Sequence, residues 1–439
     1  MDAKREAATG IVRRLRAEGF AAYLVGGCVR DMLMGRTPKD YDVTTNATPD
    51  QVLRHFPDAL TVGAQFGVVI VPNESGNVEV ATFRSDGIYA DGRHPTEVRY
   101  APTAKEDVQR RDFTINGLLY DPLSDEVLDY VGGQADIRSE RLRTIGDPCE
   151  RLSEDRLRML RAVRFTARFG FKLEPTVLAA IRELAPQIET VSAERKRDEI
   201  VKILTEGPAR AGFELLNESG MLAEVLPEIK RMQGVQQPPE FHPEGDVWIH
   251  TLMMLEGLRQ PTATLALGVL LHDVGKPPTF AIRERIRFDG HVEVGAKIAE
   301  DICGRFKISA RETERIVELV QNHLRFKDFP RMKRSTQLRF LRMEGFEEHL
   351  ELHRLDCLSS HRDLTNYEMA RRMLEETPKE EIKPEPLLRG EDLIAQGYSP
   401  GPIFKSILRA VEDAQLDGRI HSHTEALWLI KEQFPVNQP

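Results

Sequence analysis

No run in this 439-residue chain approaches the roughly 20 apolar residues that cross a bilayer, so no membrane partner is expected. Cysteine is scarce: Cys28, Cys149, Cys303 and Cys357 are scattered, without a Cys-x-x-Cys pair. That argues against a thiolate zinc site and points to a reducing cytoplasm. There is no internal repeat and no apolar leader; the N-terminal MDAKREAATGIVRRLRAEG carries acidic residues and predicts a first amphipathic helix. An excess of positive charge is also missing, because the net charge is −9. Distribution matters more than the sum. Between residues 138 and 172, ten Lys/Arg stand against five Asp/Glu, which makes either a basic strip for a phosphate backbone or a solvated helix face.

The remaining composition, 41% hydrophobic and 30% charged, is that of an ordinary folded protein. The length suits roughly two to four domains. A head over 1–145 mixes helices and strands, and a helical neck follows over 146–235. A histidine-bearing helical block spans 236–375, and a Pro/Lys/Glu linker with a helical tail spans 376–439. In the head, spacing and turn residues predict helices over 3–18 and 49–56 and a short helix ending near 33. Strands are predicted at 22–25, 40–44, 67–72, 78–83, 97–100, 116–120, 127–130 and 142–144, with a Gly/Asp-rich loop over 85–94. Further helices are predicted at 153–169, 175–185, 192–205 and 208–219.

The most informative stretch is GGCVRDMLMGRTPKDYDVTT, in which Asp40 and Asp42 follow the glycine turn. A strand carrying D-x-D points both carboxylates to one face. Two hard oxygen donors there can hold Mg²⁺ and leave positions for substrate phosphates. Paired glycines, Gly26 and Gly27, let backbone N–H groups approach a phosphate, and Arg30 adds a forked cation. Glu79 is either a third carboxylate, if its strand lies beside the D-x-D strand, or an exposed strand residue. Arg111, Asp112 and Asn116 in RRDFTIN place a cation, a carboxylate and an amide together. The turn DYVGGQAD, from Asp129 to Asp136, has either a structural or a functional role. On one continuous helix, Arg158, Arg161 and Arg164 would share an arc of roughly 120°, with Asp155 about 60° beyond. Asp155 and Arg158 then either read a nucleobase edge or form a surface ion pair.

The later block carries His250, then LLHDVGK with His272 and Asp273, then His291, His323 and Asp356. A lone histidine on such helices is more often a packed core residue. Imidazoles and carboxylates in this order instead supply ligands for a divalent transition metal of unspecified identity. His291 and His323 are candidates for a second metal or for phosphate contact.

The ordered set G-G-x-V-R-D with D-x-D, R-R-D-F-T-I-N, D-x-x-G-G-x-x-D, E-D-x-x-R and R-A-V-R-F strongly resembles the class II tRNA nucleotidyltransferase and poly(A) polymerase family, over about residues 20–230. The pattern H…HD…D of the later block resembles the HD metal-dependent phosphohydrolase superfamily. The resemblance implies an α+β head with a small mixed, polymerase-beta-like palm sheet, then an all-α neck, HD-type body and tail. It implies Mg²⁺ on Asp40 and Asp42, triphosphate contacts from Gly27 and Arg30, and phosphate and sugar contacts from Arg111, Asp112 and Asn116. Asp155 and Arg158 would read the base, with Arg161 and Arg164 behind them. The implied reaction joins CTP and ATP to an RNA 3′ end, the CCA end of tRNA, with release of pyrophosphate. The region 62–71, VGAQFGVVIV, lacks the basic stretch with a histidine found in poly(A) relatives. Addition of A alone, or of poly(A), stays open. For the HD block the resemblance implies phosphatase or 2′,3′-cyclic phosphodiesterase activity. Two other classes remain: an HD nucleotide phosphohydrolase with a nucleotide-sensing head, and a non-catalytic RNA-binding protein.

Overall fold

The protein is described here from a computed structural model covering residues 2–61, 67–86, 98–240 and 242–435. The expected loop over 85–94 lies largely outside these residues, as does part of 62–71. The chain divides into two compact units, 1–230 with 305–307, and 231–304 with 308–439.

In the first unit, α1 (Ala3–Ala17), β1 (Ala22–Val25), α2 (Gly27–Leu33), β2 (Asp42–Thr45) and α3 (Pro49–His55) follow in order. Then come β3 (Val68–Val71), β4 (Val78–Thr82), β5 (Arg84–Asp86), β6 (Val98–Tyr100), α4 (Ala104–Gln109), β7 (Leu118–Asp121), β8 (Glu126–Asp129), α5 (Gly133–Arg138) and β9 (Arg141–Leu142). Six strands form one mixed sheet in the order β3-β4-β2-β1-β7-β8, antiparallel except for the parallel β2–β4 pair. Side-chain alternation along β1 divides the core. Leu24 joins one cluster with Leu15, Val29, Val43 and Val80, and Val25 joins the other with Phe83, Leu119 and Ile145. Capping sets the helix starts: Asp2 accepts from the Lys4 amide, and Thr48 and Gln51 form a capping box ahead of Pro49.

The rest of the first unit is helical: α6 (Pro148–Glu154), α7 (Leu157–Phe169), a two-residue β10 (Lys172–Leu173), α8 (Pro175–Leu184), α9 (Ala193–Thr205), α10 (Ala209–Glu218), α11 (Met221–Val225) and α12 (Pro227–Lys230). Three expectations need correction. The single helix expected over 153–169 is two helices, because Asp155 adopts extended backbone and its Oδ1 accepts from the Leu157 amide at 3.1 Å. The D-x-D strand begins at Asp42, so Asp40 sits in the preceding loop. The strand expected from 116 begins at Leu118, because Thr114–Asn116 is a 3₁₀ turn.

The second unit contains α13 (Val247–Gly257), α14 (Ala263–Leu271), α15 (Lys276–Thr279), the hairpin β11 (Ala281–Ile282) and β12 (Ile286–Arg287), and α16 (His291–Arg305). It continues with α17 (Ala310–Asn322), α18 (Arg334–Leu341), α19 (Phe346–Ser359), α20 (Thr365–Glu376), α21 (Lys379–Ile382), α22 (Gly390–Ala395), α23 (Pro402–Leu416) and α24 (His423–Gln433). The run from Leu265 to Leu271 is apolar all round and is buried throughout, as an interior helix must be. Phe326, Phe329, Phe340 and Phe346 make one core here, and the tail builds another around Leu393, Ile407 and Ile430.

Candidate active sites

In the head, β2 and β4 pair in parallel with Val43 opposite Val80. The residues before these two, Asp42 and Glu79, therefore project to the same face, which meets the condition on which Glu79 was a candidate. Burial, then the charges of Glu79 and Asp40, push the Asp42 carboxyl up to about 6, against the pull of Arg111. Like charges converging on a half-buried carboxyl, all hard oxygen donors, suit a divalent cation. Asp40 is more open, 61% exposed at its side chain, and faces Lys4 at 3.2 Å. Unlike the histidines described below, the three carboxylates are not gathered into a closed three-ligand set.

The arginine-rich motifs meet beneath this face. Gly26 has φ +75°, a left-handed backbone that favours glycine, and it lies against the Arg111 guanidinium. Gly27 follows as the first residue of α2. Arg111 pairs with Asp107 at 2.9 Å. Arg30 is buried; it donates to Asn116 Oδ1 at 2.6 Å and to Asp31 at 2.8 Å, and its guanidinium lies 4.5 Å from the Phe169 ring centre. Asn116 donates to Asp112 at 3.1 Å, and Arg161 donates twice to the other Asp112 oxygen, at 2.8 and 2.6 Å. Against the upward push of burial, Arg161 and Asn116 hold the Asp112 carboxyl at about 2. Arg164 continues the chain to buried Glu199 at 2.6 Å.

Arg158, Arg161 and Arg164 all lie on α7, but Asp155 does not. Asp155 pairs with Arg195 at 2.7 Å, while Arg158 donates to Glu154 at 2.5 Å and to the Arg110 carbonyl at 3.2 Å. The two proposed base readers therefore have separate partners. The turn from 129 to 136 has a structural explanation: Asp129 accepts from the amides of Val131, Gly132, Gly133 and Gln134, and Asp136 accepts from Thr114 Oγ1. Glu199 and Arg195 were missed in the sequence, where nothing but their charge marked them, whereas Glu154 opens the E-D-x-x-R motif.

In the second unit all six expected groups meet. His272 and Asp273 follow α14, His291 opens α16, His323 caps α17, His250 lies on α13 and Asp356 on α19. The Nδ1 atoms of His272, His291 and His323 donate to carbonyls three residues back, those of Val269, Phe288 and Val320, at 2.8, 2.9 and 2.7 Å. Each Nε2 then carries the lone pair. All three are buried, without a hydrogen-bond partner, and lie 3.1, 3.9 and 3.8 Å from Asp273 oxygens. His250 Nε2 lies 3.1 Å from Asp356. Donor atoms of His250, His272 and Asp273, and of Asp273, His291 and His323, form two sets each within 4.8 Å. Orphaned imidazole nitrogens oriented by backbone carbonyls around carboxylates fit a divalent transition metal.

The electrostatics divide the cluster: against burial, Asp356 and Glu244 push His250 up to about 9, so that a metal there would have to displace its proton. Burial opposes ionisation of Asp273, yet His272 and Lys276 hold it well below the usual carboxylate range. Burial and neighbouring His272 push His323 down to about 4, which keeps it neutral and able to ligate. Two groups went unnoticed in the sequence, His242 and Glu244: Glu244 lies 2.8 Å from both His242 Nδ1 and His250 Nδ1. The pattern His-x-Glu just ahead of the His250 helix was the available signal.

Comparison with known proteins follows the same division. Residues 22–143 match the family described as poly A polymerase head domain, 170–233 the probable RNA and SrmB-binding site of polymerase A, and 246–356 the HD domain. The CCA-adding enzyme of Geobacillus kaustophilus is 41% identical over 218 residues, 50% of this chain and 54% of that one. In the first five such enzymes the match covers about half to two thirds of their length, from 53% to 65%. The CCA-adding enzyme of Enterococcus faecalis is 30% identical over 421 residues, 96% of this chain and 94% of that one. The crystal structure of Bacillus stearothermophilus CCA-adding enzyme in complex with CTP superposes with a TM-score of 0.75 at 28% identity, covering 99% and 98% of the two chains. The mixed-sheet head, the helical body and this end-to-end likeness place the chain in the CCA-adding enzyme family of nucleotidyltransferases.

Proposed function

We propose that this chain adds CCA to tRNA 3′ ends from CTP and ATP without a template, releasing pyrophosphate. The observation that carries this is the half-buried Asp42 carboxyl, level with Glu79 on the paired strands β2 and β4 and set beside Arg111. In each addition the RNA 3′ oxygen bonds the α-phosphorus, the bond to the β-phosphate breaks, and pyrophosphate leaves. Asp40 and Asp42, with Glu79, would hold Mg²⁺, which activates the hydroxyl and neutralises the leaving oxygens. Gly27, Arg30 and Arg111 hold phosphates, and Asp112 and Asn116 fix the ribose side. Asp155 and Arg158 face the base, and Arg161 and Arg164 brace Asp112 and Glu199 beneath. A cytoplasmic location is consistent with free cysteines at 28, 149, 303 and 357.

Two readings stay behind this one. Addition of A alone, or of poly(A), is supported by the description of the head family as poly A polymerase. A nucleotide phosphohydrolase with a sensing head is supported by the assembled histidine cluster. We also assign that cluster an accessory phosphatase or 2′,3′-cyclic phosphodiesterase role. His250, His272, Asp273 and Asp356, with His291 and His323, would hold the metal, which supplies an activated water. Labelled CTP and ATP with tRNA lacking its 3′ end, with product sequencing, separates the transferase readings. Release of phosphate or opening of a 2′,3′-cyclic phosphate tests the cluster.

A further inference from the structure

The histidine cluster borders a cavity of about 730 Å³ whose other walls carry a different chemistry. The hairpin β11–β12 supplies Arg285 and Arg287, and the 3₁₀ turn Arg325–Arg331 supplies Lys327. No ion pair is formed by these three cations among the described residues, and Arg287 Nε is buried without a partner. By contrast Lys276, on the same cavity, is bonded to Asp273 at 2.7 Å and to Gln237 at 2.6 Å. The acids on these walls are engaged: Asp363 accepts from the Thr365 amide at 2.9 Å, and Asp289 faces Arg283 at 3.8 Å.

Unmatched guanidinium groups facing a ligand-sized cavity suit a phosphate, which their fork grips in two places. The cluster would take the reacting phosphoryl group through the metal it holds. We infer that Arg285, Arg287 and Lys327 hold a second phosphate, one nucleotide away, so that this site takes the end of an RNA strand in preference to a mononucleotide. This rests on the hydrolase reading of the cluster. In the reaction, water oxygen bonds phosphorus of a terminal 2′,3′-cyclic phosphate, one bond from phosphorus to a ribose oxygen breaks, and the water proton ends on the freed hydroxyl.

The test compares the full-length protein with Arg287→Ala, Arg285→Ala and Arg287→Lys. Substrates are a dinucleotide ending in 2′,3′-cyclic phosphate and the matching mononucleotide. For the dinucleotide, Arg287→Ala should raise KM about tenfold at unchanged kcat, with partial recovery in Arg287→Lys; for the mononucleotide, KM should stay constant. Unchanged thermal unfolding and unchanged mononucleotide kcat show that the variant folds. An equal effect on both substrates would overturn the inference by placing these cations at the reacting phosphate. Calorimetry on metal-stripped protein uses a dinucleotide 3′-phosphate as probe and expects about tenfold weaker binding in Arg287→Ala. Absence of hydrolysis in the parent protein would remove the hydrolase reading alone. Equal binding by parent and variant would remove the second-phosphate site.

Discussion

Asp42 ties stability to chemistry in one side chain. Its carboxyl, pushed from the ordinary 3.8 to about 6, makes an ionised Asp42 costly to the fold. The cost is absent below pH 4, grows between about 4 and 6, and is complete above the raised value. Asp42→Asn should therefore stabilise the protein at pH 8, by about 3 kcal/mol, and change little at pH 4. Mg²⁺ should raise the melting temperature of the parent at pH 8 but not that of the variant. Thermal unfolding at the two pH values, with and without Mg²⁺, measures both; equal shifts at both pH values would contradict the origin given for the raised carboxyl. At the second site, Glu244 lies 2.8 Å from His250 Nδ1, the place a carboxylate takes when it orients a metal-binding histidine. Glu244→Gln should weaken metal binding about 10- to 100-fold in a chelator competition, and unchanged affinity would dismiss that role. The candidate ligands could be read from the sequence because their residue types are rare in such order. Glu199 could not: acidic residues are common, and only tertiary folding reveals which one is buried against a cation such as Arg164.

At the scale of elements, short-range chemistry was legible and long-range contact was not. A short apolar run foretold β1 and alternation foretold β4, but the sequence could not pair β4 with β2, the contact that brings Glu79 level with Asp42. The helix break at Asp155 went unread because the apolar spacing continues through it, while a side chain bonding the backbone two residues on ends the first helix. Gly275 shows the same dependence on distant contact. A Cβ at that position would lie 2.0 Å from the His291 carbonyl and 2.6 Å from the Gly295 amide nitrogen. Gly275→Ala should cost about 1–3 kcal/mol in urea unfolding and displace His291, with loss of metal at that side of the cluster. Full metal occupancy in the variant would contradict this packing.

Across the whole molecule, two compact units carry two separate candidate sites. His272→Ala or Asp273→Ala should spare nucleotide incorporation and remove any phosphatase activity, and coupled loss of both activities would contradict separate sites. The head fold and the histidine block were legible because their motifs fall in a fixed order. The tail was legible only as helical, since its core around Leu393 and Ile430 carries no chemical signature. The central claim is that carboxylates at Asp40 and Asp42 drive CCA addition. Its most direct test incubates purified protein with Mg²⁺, CTP, ATP and tRNA ending at the discriminator base, then sequences the products. The account predicts C, C and A in order from the parent and none from Asp42→Ala. Unchanged labelling by that variant, or tails of A alone, would contradict it.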